Sequence, residues 1–138
     1  MIIDGNNLVL GRMATHVAKA ILNGEKVEIV NCDKIVISGR KKDLIERWTA
    51  KTKRGEPFHG PFYPRREDML VRRMIRGMLP WKTPRGKLAF KNIMCYIGVP
   101  DHLNGNKFET IKEANVVNVK RARYLSIKEI SKYIGKTI

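Results

Sequence analysis

The first third of the chain alternates between short apolar runs and one long segment with helical spacing. Residues 1–3 are apolar and end at a turn-forming cluster, residues 4–7. In residues 10–22 the apolar positions recur three or four residues apart, and polar residues occupy the other half of a helical wheel. A β-branched run, residues 26–32, follows the helix stop Gly24. The order strand, helix, strand predicts a βαβ unit, because this crossover is long enough for parallel pairing.

A second, more basic helix is predicted after the apolar run at residues 35–37. Leu44, Ile45 and Trp48 repeat at helical spacing among charged residues. In residues 51–64, glycines and prolines break any regular element. We therefore predict an extended loop in this segment.

The predicted loop carries three aromatic side chains, Phe58, Phe62 and Tyr63. They either stack on nucleic-acid bases, at about 1–3 kcal/mol for each base, or pack onto the body of the protein. Packing is the favoured interpretation. His59 suits contact with RNA and an ordinary surface position equally well.

A third helix is predicted from Pro64 to Gly77. Proline suits the first helical position, and Glu67 and Asp68 suit the positive end of the helix dipole. A helical wheel places arginines on one face, namely Arg65, Arg66, Arg72, Arg73 and Arg76. The opposite side is apolar, so the helix can bury one side in the protein and present the other to an anion.

Residues 80–91 are predicted to form a loop, because chain breakers alternate there with cations. Such a loop can follow a phosphate backbone. Its cations are Lys82, Arg85, Lys87 and Lys91.

The last part of the chain predicts at least one more strand and a terminal helix. Residues 93–99 form the longest late apolar run and predict a buried strand, and residues 107–111 or 115–119 predict another. Ser126 and Glu129 form an S-x-x-E capping box ahead of isoleucines at helical spacing.

These elements predict the α/β class, in a single domain with a short, mostly parallel sheet flanked by helices and a basic helix and loop extension. The length of 138 residues suits one domain. Residues 1–50 would form the opening βαβ-type unit, residues 51–91 the basic loop, helix and loop, and residues 92–138 the closing strands and C-terminal helix.

The charge of the chain indicates that this α/β domain has a polyanionic partner. Lysine and arginine number 28 against 13 acidic residues, which gives a formal charge of +15. Residues 40–91 alone carry 16 basic and 5 acidic side chains, so most of the excess is localised there. Such a localised excess favours nucleic acid as the partner.

Arginine dominates the predicted third helix, and its planar guanidinium can grip a phosphate with two hydrogen bonds and stack on bases. A solvated face with internal ion pairs is less favoured, because only two acidic residues lie near five arginines. The predicted RNA-binding residues are Arg40, Lys41, Lys42, His59, Arg65, Arg66, Arg72, Arg73, Arg76, Lys82, Arg85, Lys87 and Lys91.

Other classes of site find little support in the sequence. Cys32 and Cys95 stand alone, without a CxxC motif or a histidine at ligand spacing, so we predict two buried free thiols and no metal site. No run approaches the ~18 apolar residues of a membrane-spanning helix, and the start lacks the apolar core of a signal peptide. We therefore expect no membrane partner.

An enzyme is a weak alternative that rests on the opening βαβ unit, which could hold a nucleotide. Residues 4–11 do not match G-x-G-x-x-G, and no phosphate-binding loop or catalytic triad is recognisable. We expect no catalytic residue, no cofactor and no small-molecule substrate. A DNA-binding or regulatory mRNA-binding module is a closer alternative, because phosphate charge alone does not identify the nucleic acid.

Several segments resemble one known family. Residues 76–80 (RGMLP), residues 87–91 (KLAFK) and the run to Tyr96 are similar to the universal L-thirteen family of large-subunit ribosomal proteins. Residues 10–15, 30–36 and 38–41 resemble its opening unit in order and spacing. The segments 60–66, 81–86 and 124–135 resemble the archaeal branch.

The resemblance implies a small α/β domain that is a structural constituent of the large ribosomal subunit. It also implies binding to large-subunit ribosomal RNA beside neighbouring ribosomal proteins, a role in subunit assembly, and a cytoplasmic location in the ribosome. The family implies no catalytic residue.

Overall fold

The computed structural model describes residues 1–120 and 123–135. Residues 121–122 and 136–138, which belong to the predicted closing segment, lie outside this range. The strands are β1 (Ile2–Asp4), β2 (Val27–Val30), β3 (Val36–Ser38), β4 (Ile93–Cys95) and β5 (Tyr124–Ser126). The helices are α1 (Leu10–Leu22), α2 (Lys41–Lys53), α3 (Glu67–Arg76), α4 (Pro84–Lys91) and α5 (Ile127–Tyr133).

The predicted βαβ unit is confirmed. Strands β1, β2 and β4 form a parallel sheet in the order β1-β2-β4, with Ile3 opposite Ile29 and Val27 opposite Ile93. Helix α1 buries the apolar stripe that its spacing predicts, including Leu10. Burial of each such side chain stabilises the fold by about 1.5–3 kcal/mol. Strand β2 and helix α1 are therefore central to the hydrophobic core.

A second, two-stranded sheet pairs β3 with β5 in antiparallel orientation, with Val36 opposite Ser126. Strand β5 was not predicted from the sequence. The helix that follows was predicted: Ser126 accepts a hydrogen bond from the Glu129 amide at 3.3 Å, and Glu129 accepts one from the Ser126 amide at 3.1 Å. This capping box starts α5, so the terminal helix is confirmed, as is the α/β class with a mostly parallel main sheet.

The predicted strands in the last third are only partly correct. The strand predicted over residues 93–99 is limited to β4, and Met94 in its centre is 46% exposed. Residues 107–111 contribute a single bridge, from Glu109 to Ile3. Residues 116–118 form a short 3₁₀ turn instead of a strand. The length of a strand depends on how many of its residues pair with the neighbouring strand, and an apolar run does not show this number. The neighbouring strand β2 ends at Val30.

Both boundaries of the predicted loop before α3 are different in the structure. Helix α2 continues to Lys53, so the loop begins after it. Helix α3 starts at Glu67 and not at Pro64, because Arg66 has an extended backbone with ψ of 146°. The preceding carbonyl, that of Arg65, accepts a hydrogen bond from the Ser131 hydroxyl at 2.6 Å and thus ties this stretch to α5.

The prediction of a loop over residues 80–91 is wrong, because most of this segment is α4. Thr83 caps the helix by accepting a hydrogen bond from the Gly86 amide at 3.2 Å, and Pro84 occupies the first turn. Gly86 is required here, since a Cβ atom would lie 2.0 Å from the Pro80 carbonyl oxygen. The residues interpreted as chain breakers therefore start a helix and pack it closely.

Both cysteines are free and buried, as predicted. A hydrogen bond to Cys95 and burial raise the pKa of the Cys32 thiol, so this thiol stays protonated. Across residues 1–120 and 123–135, no helix has both the length and the apolar character needed to cross a membrane.

Candidate nucleic-acid interface

Helix α3 separates an apolar side from an arginine side, as the sequence predicts. Leu70 and Ile75 are completely buried, on a helix that contacts α1 and β4. The other side carries the half-buried arginines Arg72, Arg73 and Arg76, here called the arginine surface. Because the apolar side is fixed in the core, the position of the arginine side is fixed as well.

Two of these arginines rest on aromatic rings supplied by α4 and the residues before it. The guanidinium carbon of Arg76 lies 4.3 Å from the centre of the Trp81 ring, and that of Arg72 lies 4.2 Å from the centre of the Phe90 ring. The two rings meet edge to face, with centres 5.0 Å apart. Such contacts are worth about 0.5–2 kcal/mol each and hold the guanidinium groups in place before any ligand arrives.

The charge of the arginine surface is not neutralised by the described part of the chain. Within it, none of the three arginines forms a salt bridge with a carboxylate. Desolvation, and then the positive charge of Arg73, lower the pKa of Arg76. Arginine titrates so far above neutral pH that the group stays charged. An anion that binds here would relieve the repulsion between these groups.

The other two arginines predicted for this face lie elsewhere, because they precede the helix. Arg66 pairs with Asp68 at 2.9 Å, so part of its charge is offset. The Arg65 side chain lies beside Gly135 at the end of α5. The single five-arginine face of the sequence analysis is therefore three arginines in the structure. The RNA-binding role of Arg65 and Arg66 stays a prediction.

The cations of the α4 segment are all exposed, namely Lys82, Arg85, Lys87 and Lys91. Lys87 and Lys91 lie one helical turn apart, and Lys91 lines a shallow depression with Lys26 and Met1 where β1 and β2 begin. The depression thus brings Lys26 and Lys91 together at the end of the main sheet where its strands begin, beside the acidic Glu28.

A second basic group lies at the start of α2 and is formed by Arg40, Lys41 and Lys42, which are all exposed. Three cations at the positive end of a helix dipole are unfavourable, and Asp43 is the one acidic residue of that turn. Arg123, which directly precedes β5, lines a depression together with Arg40 and Lys41. We call these four residues the α2 cluster.

Lys41 of the α2 cluster contacts the ring of Tyr133 on α5, with the ammonium 5.3 Å from the ring centre. A hydrogen bond to Tyr133 and the electrostatic interaction with its hydroxyl raise the pKa of Lys41. Arg123 escaped the sequence analysis, because only the antiparallel pairing of β3 with β5 brings it to this end of α2.

The loop between α2 and α3 projects its tip into solvent. Residues 56–60 form a tight turn closed by two backbone hydrogen bonds of 3.1 and 3.0 Å. Phe58 and His59 are both at the tip, and Phe58 is 88% exposed. Packing of Phe58 onto the body, the favoured interpretation of the sequence, is therefore wrong, because a turn this tight holds the ring away from the core.

The other two rings of the loop behave differently from each other. Tyr63 packs edge to face on the buried Trp48, with ring centres 6.0 Å apart, which confirms the packing interpretation for this residue. Burial raises the pKa of Tyr63. Phe62 is 74% exposed, so the same interpretation is wrong for it.

Phe62 faces the arginine surface across a cavity of about 390 Å³. The Trp81 and Phe90 rings line the same cavity, and no acidic residue does. We call this cavity the arginine–aromatic pocket. Its walls combine positive charge with apolar ring surface.

Comparison with known proteins finds similarity to one family of ribosomal proteins. A family model described as Ribosomal protein L13 matches residues 1–102. The chain is 44% identical to the large ribosomal subunit protein uL13 of Methanopyrus kandleri, over 97% of this chain and 86% of the relative. It is 39% identical to the protein of the same name from Archaeoglobus fulgidus, over 97% of this chain and 86% of the relative. For that of Picrophilus torridus the identity is 40%, over 98% of this chain and 96% of the relative.

Proposed function

This chain belongs to the ribosomal protein L13 family, and we propose that it is a structural constituent of the large ribosomal subunit that binds ribosomal RNA through its arginine surface. The relatives are archaeal, as three of the segments in the sequence imply. The family is one of structural components and not of enzymes, which sets aside the nucleotide-binding interpretation of the opening βαβ unit.

The observation that carries the proposal is the arrangement of Arg72, Arg73 and Arg76. They lie on one side of a helix whose other side is buried, without a carboxylate partner in the described chain. Guanidinium groups bind phosphate with two parallel hydrogen bonds, and aromatic rings already orient two of these groups. A phosphate backbone therefore meets preorganised donors.

The proposed interface extends beyond this surface. The α2 cluster and the exposed cations of the α4 segment would contact further phosphates, as would Arg65, Arg66 and His59. Cations at several places around the domain suit an RNA that wraps it more than a ligand at a single point. We propose that the protein supports assembly of the subunit in this way, beside neighbouring ribosomal proteins, in the cytoplasmic ribosome.

Sedimentation of a native lysate at high and at low magnesium tests the proposal. We expect the chain to sediment with intact ribosomes at high magnesium and with the free large subunit once low magnesium separates the subunits. If it stays in free fractions while intact large subunits sediment elsewhere, the ribosomal assignment is wrong. The regulatory alternative would then be tested by isolating the mRNA that co-purifies with the chain.

A further inference from the structure

We infer that the arginine–aromatic pocket receives one unpaired base of the bound RNA. This inference rests on the proposed function and deepens it, since it states which part of the RNA enters the protein. The pocket lies between α3, the loop that carries Phe62, and two rings from the α4 region, Trp81 before the helix and Phe90 near its end.

The walls of the pocket suit a ligand with two chemical parts. A free phosphate needs the arginines but has no use for the rings of Phe62, Trp81 and Phe90. A purely apolar ligand would gain from the rings but would shield the guanidinium groups from water, which is costly. A nucleotide supplies a flat ring for the aromatic wall and a phosphate for the charged wall.

The geometry of the rings favours a flat ligand. Trp81 and Phe90 meet at an interplanar angle of 84°, and a guanidinium group lies over one face of each ring. Phe62, on the loop side of the pocket, leaves most of its ring in water. A base that stacks on Phe62 would remove that apolar surface from water and place its edge near the arginine donors.

The size of the pocket suits one base and excludes a double helix. Its volume of about 390 Å³ lies near the lower end of the range of small-ligand sites, about 300–1,000 Å³. The bases of a paired RNA helix are stacked on each other, and side chains cannot enter its deep, narrow major groove. The base must therefore come from a bulge, a loop or an end of the RNA.

Phe62 and Phe58 provide a matched pair of variants for the test. Both rings belong to the same loop and both are mostly exposed, but only Phe62 lines the pocket. Neither Phe62→Ala nor Phe58→Ala should disturb the fold, which circular dichroism verifies. Neither variant removes a charge, so both should keep the salt dependence of RNA binding.

The first measurement is the affinity of the full chain for large-subunit ribosomal RNA purified from the same cells. We expect Phe62→Ala to weaken binding about 5- to 140-fold, which is the stacking of one base at about 1–3 kcal/mol converted at 1.4 kcal/mol per factor of ten. Phe58→Ala should bind like the unchanged protein. Equal affinities for both variants and the unchanged protein would overturn the inference.

The second measurement is photochemical cross-linking of the same complex, mapped on both the RNA and the protein. We expect a cross-link between Phe62 or Trp81 and a nucleotide whose ribose is reactive to acylating reagents in the free RNA, which marks it as unpaired. A cross-link from these residues to a paired nucleotide, or cross-links confined to Phe58 and other segments, would contradict the inference.

These results separate the inference from the function on which it rests. If the unchanged protein does not bind the RNA with a dependence on salt, the proposed function fails. If salt-dependent binding persists and Phe62 has no effect, only the base pocket fails. In that case the pocket would remain open to another occupant, such as a side chain of a neighbouring ribosomal protein.

Discussion

The arginine surface on α3 and the α2 cluster are both basic, but they are built in different ways. Arg72 and Arg76 are half-buried and lie over aromatic rings, while the lysines at the start of α2 extend into solvent. The one ring contact of the α2 cluster among the described residues is that of Lys41 with Tyr133, at a longer distance of 5.3 Å.

This difference in construction separates two ways of binding RNA. Exposed, flexible cations attract phosphates wherever they lie, and salt screens that attraction. Stacked guanidinium groups have lost part of their conformational freedom before RNA binds. Each one therefore loses less conformational entropy when it binds a phosphate. We therefore expect the α2 cluster to contribute mainly charge, and the arginine surface to contribute charge and position.

The largest expected effect comes from replacing the arginines of α3 together. Arg72→Ala, Arg73→Ala and Arg76→Ala in one chain should weaken RNA binding and flatten its salt dependence by about 0.7–0.9 log units for each phosphate that the protein no longer neutralises. The matched variant replaces Arg40, Lys41 and Lys42 by alanine. It should flatten the slope similarly but lose less affinity, because its one ring contact among the described residues, that of Lys41 with Tyr133, is longer than those of Arg72 and Arg76. Filter binding over a range of salt concentrations measures both quantities.

The fold of both triple variants must be verified by circular dichroism before their binding is compared. A folded α3 variant with an unchanged salt slope would refute the assignment of these arginines to phosphate. An α2 variant that loses as much affinity as the α3 variant would instead show that stacking on the rings adds nothing.

The next effect concerns the close packing that holds the rings in place. Gly86→Ala would put a Cβ atom 2.0 Å from the Pro80 carbonyl oxygen, so α4 must move and carry Trp81 and Phe90 with it. We expect a loss of about 1–3 kcal/mol in the free energy of unfolding and weaker RNA binding although no charge changes. Thermal and denaturant unfolding measure the first effect, and filter binding measures the second.

Gly11→Ala is the control for this substitution, since Gly11 is also helical and its Cβ would meet no atom within 4 Å. It should leave RNA binding unchanged and raise stability by up to about 1 kcal/mol. If Gly86→Ala were equally harmless, the rings would not depend on this close approach.

Helix α4 also shows why part of the site escaped prediction from the sequence. Helices α1 and α3 have a clear apolar stripe, and their existence follows from periodicity alone. The α4 segment contains Pro84 and Gly86, which signal a loop when each residue is considered singly. The pattern of Thr83 followed by proline is a helix start, but the need for Gly86 arises from the Pro80 carbonyl, which only the folded chain brings close.

The candidate site was predictable in its charges and not in its geometry. The arginines of α3 were identified because charge and spacing are written in the sequence. The position of Arg123 depends on strand pairing, and the exposure of Phe58 and Phe62 depends on how tightly the loop turns. Strand pairing joins segments far apart in the chain, and the turn depends on the backbone as a whole, so no local pattern encodes either of them.

The N-caps of α4 and α5 provide a comparison at the level of about 1 kcal/mol. Helix α4 supports the arginine surface through Phe90, and helix α5 contacts the α2 cluster through Tyr133. Thr83→Ala removes the cap of α4, and Ser126→Ala removes the cap of α5. Each should lower the free energy of unfolding by about 0.5–2 kcal/mol. Only Thr83→Ala should also weaken RNA binding, because α4 carries Phe90 under Arg72. Chemical denaturation and filter binding of both variants give the comparison, and equal RNA affinities would argue against a role for α4 in positioning the arginine.

The smallest expected effect comes from exchanging arginine and lysine in each region, which keeps the charge and changes the shape of the cationic group. Arg76→Lys keeps the charge but replaces the plane that lies over Trp81 with a compact ammonium group. At about 0.5–1 kcal/mol for an exposed cation–π contact, its affinity for RNA should fall about 2- to 5-fold with the salt slope unchanged. Lys41→Arg, the opposite exchange in the α2 cluster, should change neither quantity, because the charge persists and the phosphate contact there needs no fixed plane. Equal affinities of both variants and the unchanged protein would mean that the two regions bind RNA in the same way, through charge alone.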